Sequence, residues 1–215
     1  MPRPHEPAFP CPAFYPIIDV PLVRPDRALA LADALSSVGP LWIQLRGKAL
    51  GAKALLDLAR TLVARVAAAG ARIIVNDRVD VALAAGASGV HLGEEDLPIE
   101  AARKVVGPGF VIGVSTHSVG EARRAEKAGA DYIGFGPMFA TTSKADALTP
   151  RSLDDLSAVR AAVHLPIVAI GGITEARAQG LLDAGADAVA MIGALASSDD
   201  PAALASRLVA LRGRR

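Results

Sequence analysis

A single (β/α)8 barrel of the TIM type is the fold class this sequence predicts, and three observations carry the prediction. The first is a recurrent segment. "AAGARIIV" begins at Ala68, "AAGASGVHL" at Ala84, "KAGADYIGF" at Lys127 and "DAGADAVAM" at Asp183. Each closes an Ala/Leu-rich stretch of helical spacing with a glycine, the residue suited to a helix C′ position. Each then opens an apolar run with no polar face, as a parallel strand buried on both sides requires. The second observation is the count. Strands are expected to begin near Tyr15, Leu41, Arg72, Gly89, Val111, Tyr132, Ile167 and Ala188, with helices near 25–37, 52–69, 78–85, 98–106, 118–128, 152–163, 174–184 and 201–212. Strict strand–helix alternation implies parallel pairing through right-handed crossovers. The third is size: 215 residues accommodate eight such units and little else. A doubly wound open sheet is the alternative, but its G-x-G-x-x-G turn after the first strand is absent. Residues 1–13, rich in proline, read as a flexible N-terminal arm, and residues 14–215 as the catalytic barrel domain.

Composition narrows the function. With 52% hydrophobic residues and a net charge of +1, the chain has a large core and no electrostatic footprint of a nucleic-acid binder. Its only basic cluster, Arg212, Arg214 and Arg215, reads as a solvated end. A lone cysteine, Cys11, allows no intrachain disulfide and no zinc spacing pattern, which fits a reducing, cytoplasmic setting. The N-terminus lacks the apolar h-region of a signal peptide, and no membrane span is expected. The Ala-rich outer helix surface is compatible with a homodimer.

In a barrel, side chains at the C-terminal ends of the strands line one mouth, where active sites form. The first strand, "FYPIIDV", ends at Asp19. The second, "LWIQLRGK", carries Gln44, Arg46 and Lys48, which share one face while the chain is extended. Two neighbouring cations repel unless an anion lies between them, so these residues read as a clamp for a phosphate or diphosphate. The third and fourth strands bring Asn76, Asp77 and Asp96. These are hard oxygen ligands of the kind that hold Mg²⁺ together with substrate phosphate oxygens. Asp77 is alternatively a helix cap, and Glu94 and Glu95 read as solvent-facing.

The fifth strand, "FVIGVSTHS", ends in Ser115, Thr116, His117 and Ser118. Ser118 with Glu121 has the spacing of a capping box. His117 is either an acid/base group or a structural histidine. The sixth strand leads into the longest loop, with Thr141, Thr142, Ser143 and Lys144, and long loops in compact domains are often functional. The seventh ends in Gly171 and Gly172, and the eighth in Ile192 and Gly193. Glycines there let backbone N–H groups approach an anion, and loops after barrel strands seven and eight frequently form phosphate sites. The mouth thus has two candidate anion sites, as a reaction joining a diphosphate to a monophosphate needs.

The motifs "IQLRGK", "IIVNDRVDVALAAGASGVHLGEEDLP", "IGVSTHS", "ADYIGFGPMFATTSK" and "PIVAIGGI", in this order, resemble the thiamine phosphate synthase family over nearly all of the chain after residue 13. The resemblance implies a barrel enzyme, a transferase, that couples hydroxymethylpyrimidine diphosphate to thiazole phosphate and releases pyrophosphate. Carried over motif by motif, it implies that Gln44, Arg46, Lys48 and Asn76 bind the pyrimidine diphosphate and that Asp77 and Asp96 hold Mg²⁺. Ser115 and Lys144 would contact the departing diphosphate, Thr141 and Ser143 the thiazole phosphate, and Gly172, Ile192 and Gly193 would hold that phosphate through their backbone. Arg46, Lys48, Ser115 and Lys144 are the implied catalytic group. The chain departs from the family pattern at Gly47, Ser143, Thr174 and Gly193, where glutamate, threonine, asparagine and serine are usual. Two alternatives stay open: a thiazole tautomerase acting through His117, and a non-catalytic thiamine-phosphate sensor.

Overall fold

The computed structural model describes residues 13–20, 22–141 and 149–211. Eight parallel strands close into a barrel in sequence order. They are β1 Phe14–Asp19, β2 Trp42–Arg46, β3 Arg72–Asn76, β4 Gly89–Leu92, β5 Val111–Thr116, β6 Tyr132–Phe135, β7 Ile167–Ala169 and β8 Ala188–Met191. The pairing of Tyr15 with Ala190 joins β1 to β8 and completes the closure. The helices between them are α1 Pro25–Ser36, α2 Ala52–Val66, α3 Val79–Ala85, α4 Ile99–Val106, α5 Val119–Ala128, α6 Leu153–Ala162 and α7 Glu175–Asp183, followed by α8 Gly193–Ala196 and α9 Pro201–Leu211. The expected (β/α)8 class is what forms. The expected arm lies outside the described residues except for Ala13, as does the Arg212–Arg215 cluster.

Two elements differ from the sequence expectation. Helix 52–69 is α2 plus a 3-10 turn, Ala67–Ala69, because the terminal alanines tighten before Gly70 turns left-handed at φ 70°. Helix α8 was not foreseen. Its four residues, GALA, are too few to show a helical period.

The recurrent A-G-A-D segment has a double role. Its glycine ends the helix, as at Gly129 with φ 89°. Its aspartate, where present, ties the strand start to its neighbour. Asp131 Oδ2 accepts the Ile112 amide at 2.7 Å and Arg103 at 2.6 Å. Asp187 Oδ2 repeats this with the Ile167 amide and Arg160, both at 2.9 Å. One carboxylate thus satisfies an otherwise unpaired strand-entry N–H and a helix-borne guanidinium at once.

Side-chain alternation divides the core into two layers. One set, including Phe14, Ile43, Leu45, Ile73, Val75, Ile112 and Ile133, packs outward under the helices. The other, including Tyr15, Trp42, Ile74, Val111, Tyr132 and Val168, fills the barrel interior. That interior is crowded, and small residues make room for large ones. A Cβ on Gly113 would land inside the Tyr132 ring. Gly113→Ala is therefore expected to lower stability by about 1–3 kcal/mol through overpacking. Gly180→Ala, in α7 where an added Cβ meets nothing within 4 Å, should raise it by up to about 1 kcal/mol from helix propensity. Denaturant melts of the two variants check both signs.

Candidate active site

Polar side chains gather at the C-terminal ends of β2 to β5, around a pocket lined by Tyr15, Ile17, Gln44, Arg46, Asn76, His91, Ser115, Tyr132, Gly134, Val168, Ile170, Ala190 and Ile192. Four residues expected to bind the diphosphate substrate, Gln44, Arg46, Asn76 and Ser115, are among them, as is Ile192. Gln44 and Arg46 come from β2, Asn76 from β3 and Ser115 from β5, each at an inward position, and Ile192 follows β8.

The charges at this mouth are arranged in pairs. Arg46 Nη1 donates to both oxygens of Asp19, at 2.8 and 2.7 Å. With the Asp19 side chain 4% exposed and that of Arg46 13%, water does not screen the pair. Lys48 lies beyond the end of β2, and its Nζ stands 3.5 Å from Asp77 Oδ2. Each cation therefore has a carboxylate of its own. This corrects the sequence argument that Arg46 and Lys48 need a bound anion between them: their repulsion is already offset within the protein. It also gives Asp19 a definite task, since its carboxylate fixes where the guanidinium points.

Asp77 is the one non-glycine residue with a positive φ, 64°, among the described residues. Aspartate and asparagine tolerate this conformation better than most side chains. The helix-cap alternative does not hold: α3 takes Arg78 as its N-cap, with no side-chain cap bond. The left-handed turn instead sets the Asp77 carboxylate beside that of Asp96. Asp96 is held by its own turn, where its Oδ2 accepts the Gly93 amide at 2.6 Å. Burial first, then the adjacent Asp96 carboxylate, push the Asp77 carboxyl above its ordinary range, while Lys48 pulls it part of the way back. Two converging carboxylates with one lysine between strand ends are a fitting donor set for a hard divalent cation. Glu94 and Glu95 are exposed, as expected.

His117, open as an acid/base group or a structural histidine, follows directly after β5. Its Nδ1–H donates to the Gly136 carbonyl at 2.6 Å, and its backbone N–H donates to Glu121. It does not line the pocket. Ser118 caps α5, accepting the Glu121 amide at 3.2 Å. The expected capping box is displaced by one residue, because the Glu121 carboxylate reaches the amide of His117 rather than that of Ser118. A complete box forms at Ser152 and Asp155 instead.

The glycines after β7 pack against the chain that follows β6. Gly171 and Gly172 have φ of 102° and 60°, and a Cβ on Gly172 would meet the Ala140 carbonyl oxygen and Phe139. The Phe139 amide donates to the Gly171 carbonyl at 3.0 Å. Arg177, stacked 4.2 Å over the Phe139 ring, donates to the Gly172 carbonyl at 2.7 Å. Both glycines are thus needed for close approach of two backbone segments. Thr141 lies at the edge of this region, half-buried. Thr142, Ser143 and Lys144 lie outside the described residues. Gly193 opens α8 directly after Ile192.

Three inward side chains that the sequence reading passed over complete the pocket: Tyr15, His91 and Tyr132. Tyr15 and Tyr132 share a 2.7 Å hydrogen bond between their hydroxyls. His91 Nδ1 lies 2.9 Å from the Tyr132 hydroxyl and its Nε2 3.1 Å from Ser115 Oγ. Alternation along β1 was the available signal for one of them: every second residue back from Asp19 is Ile17 and then Tyr15, and both line the pocket.

A closed parallel barrel with its polar groups converging on the C-terminal ends of several strands is the build of a barrel enzyme. Residues 14–195 match the family model described as thiamine monophosphate synthase. The chain is 47% identical over 194 residues to the thiamine-phosphate synthase of Moorella thermoacetica, covering 90% of this chain and 92% of that one. It is 51% identical over 169 residues to that of Methanocella arvoryzae, covering 79% and 80%. A solved thiamine phosphate pyrophosphorylase from Pyrococcus furiosus superposes with a TM-score of 0.84 at 34% identity, covering 94% of this chain and 96% of that one. The chain belongs to the thiamine monophosphate synthase family, and so to the transferases.

Asp77 yields a prediction for the metal-free protein. Its folded-state pKa is raised above the ordinary 3.8, so the folded state binds its proton more tightly than the unfolded state does. Stability is lost as pH rises from 3.8 through the raised value. In chelator at pH 7, Asp77→Asn, which keeps a side chain tolerant of the left-handed turn, should melt higher than wild type. The gap should close on acidification toward pH 3.8. Thermal melts across that range check the sign.

Proposed function

We propose that this chain joins hydroxymethylpyrimidine diphosphate to thiazole phosphate, giving thiamine phosphate and pyrophosphate, with Mg²⁺ held by Asp77 and Asp96. The observation that carries the reading is the facing pair of carboxylates, with Lys48 3.5 Å from Asp77, beside a pocket lined by Gln44, Asn76 and Ser115. Burial and then the neighbouring Asp96 raise the Asp77 pKa, the two carboxylates share one lysine, and a diphosphate brings further negative charge to the same place. When bound, Mg²⁺ neutralises charge on the departing diphosphate.

The chain's own residues do the rest. Gln44 and Asn76 hold the pyrimidine in the pocket, and Ser115, which the family motif set against the diphosphate, lines the same pocket and joins them. Arg46, aimed by Asp19, and Lys48 face the diphosphate, and Lys144, carried over from the family motif, joins them from the loop after β6. As the C–O bond at the pyrimidine methylene breaks, its electron pair leaves with the diphosphate, and these cations stabilise the charge that develops there. The thiazole nitrogen then gives its lone pair to the methylene carbon, forming the C–N bond. No proton moves and no side-chain nucleophile is needed. Thr141, Ser143 and the backbone of Gly172, Ile192 and Gly193 would anchor the thiazole phosphate, at the strand-seven and strand-eight loops where barrels commonly bind phosphate. Anchoring both substrates is what turns the second step into a near-unimolecular one.

The tautomerase alternative would act through His117, whose Nδ1–H is bonded to the Gly136 carbonyl and which does not line the pocket. Pyrophosphate release by the purified protein is the test. It should require both substrates and Mg²⁺. Asp77→Asn and Lys144→Ala, shown to be folded, should each lower turnover by roughly 10²-fold or more, the scale of a lost charge-stabilising group. Full release in chelator, or normal turnover in either variant, would overturn the assignment.

A further inference from the structure

A continuous hydrogen-bond chain crosses the barrel beneath the pocket. Gln44 Nε2 donates to the Tyr15 hydroxyl at 3.3 Å. Tyr15 meets Tyr132 at 2.7 Å, Tyr132 meets His91 Nδ1 at 2.9 Å, and His91 Nε2 meets Ser115 Oγ at 3.1 Å. Five side chains from five strands are linked, and both ends of the chain are pocket-lining residues. The protein makes specific room for it. Gly113 leaves space for the Tyr132 ring, and a Cβ on Gly134 would stand 3.2 Å from His91 Cε1.

We propose that this chain is a polarised relay running from Gln44 to Ser115, which makes Tyr132 and His91 positioning residues that present the Ser115 hydroxyl to the pyrimidine substrate as a hydrogen-bond donor. This rests on the substrate reading above. The physical reason is cooperativity. Gln44 starts the run as a donor, so a one-way chain lets each hydroxyl accept one bond and donate the next, and the aligned dipoles reinforce one another. Tyr15 then donates to Tyr132, and Tyr132 donates to His91 Nδ1. The neutral imidazole carries its proton on Nε2 and donates it to Ser115 Oγ. The Ser115 proton is thereby directed away from His91 and into the pocket. At the opposite end, Gln44 donates downward and keeps its Oε1 as an acceptor. The pocket floor offers an acceptor on β2 and a donor on β5. An aminopyrimidine carries the matching set, a donor at its amino group and acceptors at its ring nitrogens.

Two measurements test the relay. In ¹⁵N-histidine-labelled protein at about pH 8, above the ordinary imidazole range, long-range nitrogen correlations should report the Nε2–H tautomer for His91, with the signal assigned by its loss in His91→Gln. Tyr132→Phe, which cuts the chain at its centre while keeping the ring, should abolish that single-tautomer signature. An Nδ1–H tautomer in the wild type, or an unchanged His91 signal in Tyr132→Phe, would overturn the polarity. This readout needs no turnover, so it stands apart from the test of the enzyme assignment.

The second measurement is a double-mutant cycle. Tyr132→Phe and Ser115→Ala should each lower kcat/KM for the pyrimidine diphosphate by roughly tenfold, the scale of one hydrogen bond. Combined, they should cost no more than about twice the worse single change, because they remove the same interaction. KM for the thiazole phosphate should not move. Losses that multiply, or a parallel rise in the thiazole KM, would mean that Tyr132 only supports the fold. If Tyr132→Phe does not fold, His91→Phe breaks the same chain one link later and takes its place in the cycle with Ser115→Ala, judged by the same kinetic outcomes.

Discussion

The hydrogen bond between Tyr15 and Tyr132, 2.7 Å across the barrel interior, is the contact on which much else depends. A closed eight-stranded barrel leaves an interior only wide enough for side chains to fill. Two phenol rings, together with Trp42, take up a large part of it. Their neighbours must then be small, and Gly113 and Ala190 occupy the inward positions beside them. Two hydroxyls buried this deeply need partners. Gln44, His91 and Ser115 supply a polar path from the ring pair up to the mouth. The packing of the core and the chemistry of the pocket floor therefore share the same residues.

Each cation at the mouth has a carboxylate partner before any ligand arrives, and a third carboxylate, Asp96, remains. Asp19 holds Arg46, and Asp77 faces both Lys48 and Asp96. The two pairs are not equivalent. The Arg46 pair is shielded, with both Asp19 oxygens on one guanidinium nitrogen, so it fixes geometry. The Lys48 side chain is 60% exposed, so its contact is weak and free to exchange for one with a ligand. The left-handed backbone at Asp77 is the local cost of turning that carboxylate toward Asp96 rather than toward the helix it precedes.

The fold was legible because its signals are periodic and repeated. Four A-G-A segments gave helix ends and strand starts, and the strand count gave closure. Helix α8 escaped because four residues carry no period. At the site, residues at strand ends stood out because Asn76, Asp77, Arg46 and Ser115 are polar where the preceding residues are apolar. Tyr15, Tyr132 and His91 did not. A tyrosine inside an apolar strand looks the same whether its hydroxyl points to the barrel interior or the ring faces a helix, and only strand parity around a closed barrel separates the two. The partner of Arg46 was also hidden, since Asp19 and Arg46 are far apart in the chain and meet only through the β1–β2 register. His117 stood out through its motif, and the structure places it outside the pocket with its Nδ1–H on the Gly136 carbonyl.

The central claim is that Asp77 and Asp96 form a cation site shared with a diphosphate. Calorimetric titration of inorganic pyrophosphate into the purified protein tests it most directly. The account predicts binding in Mg²⁺, little or none in chelator, and little or none in Asp77→Asn under either condition. Equal affinity with and without Mg²⁺, carried through unchanged in Asp77→Asn, would contradict it and leave the two carboxylates without that role.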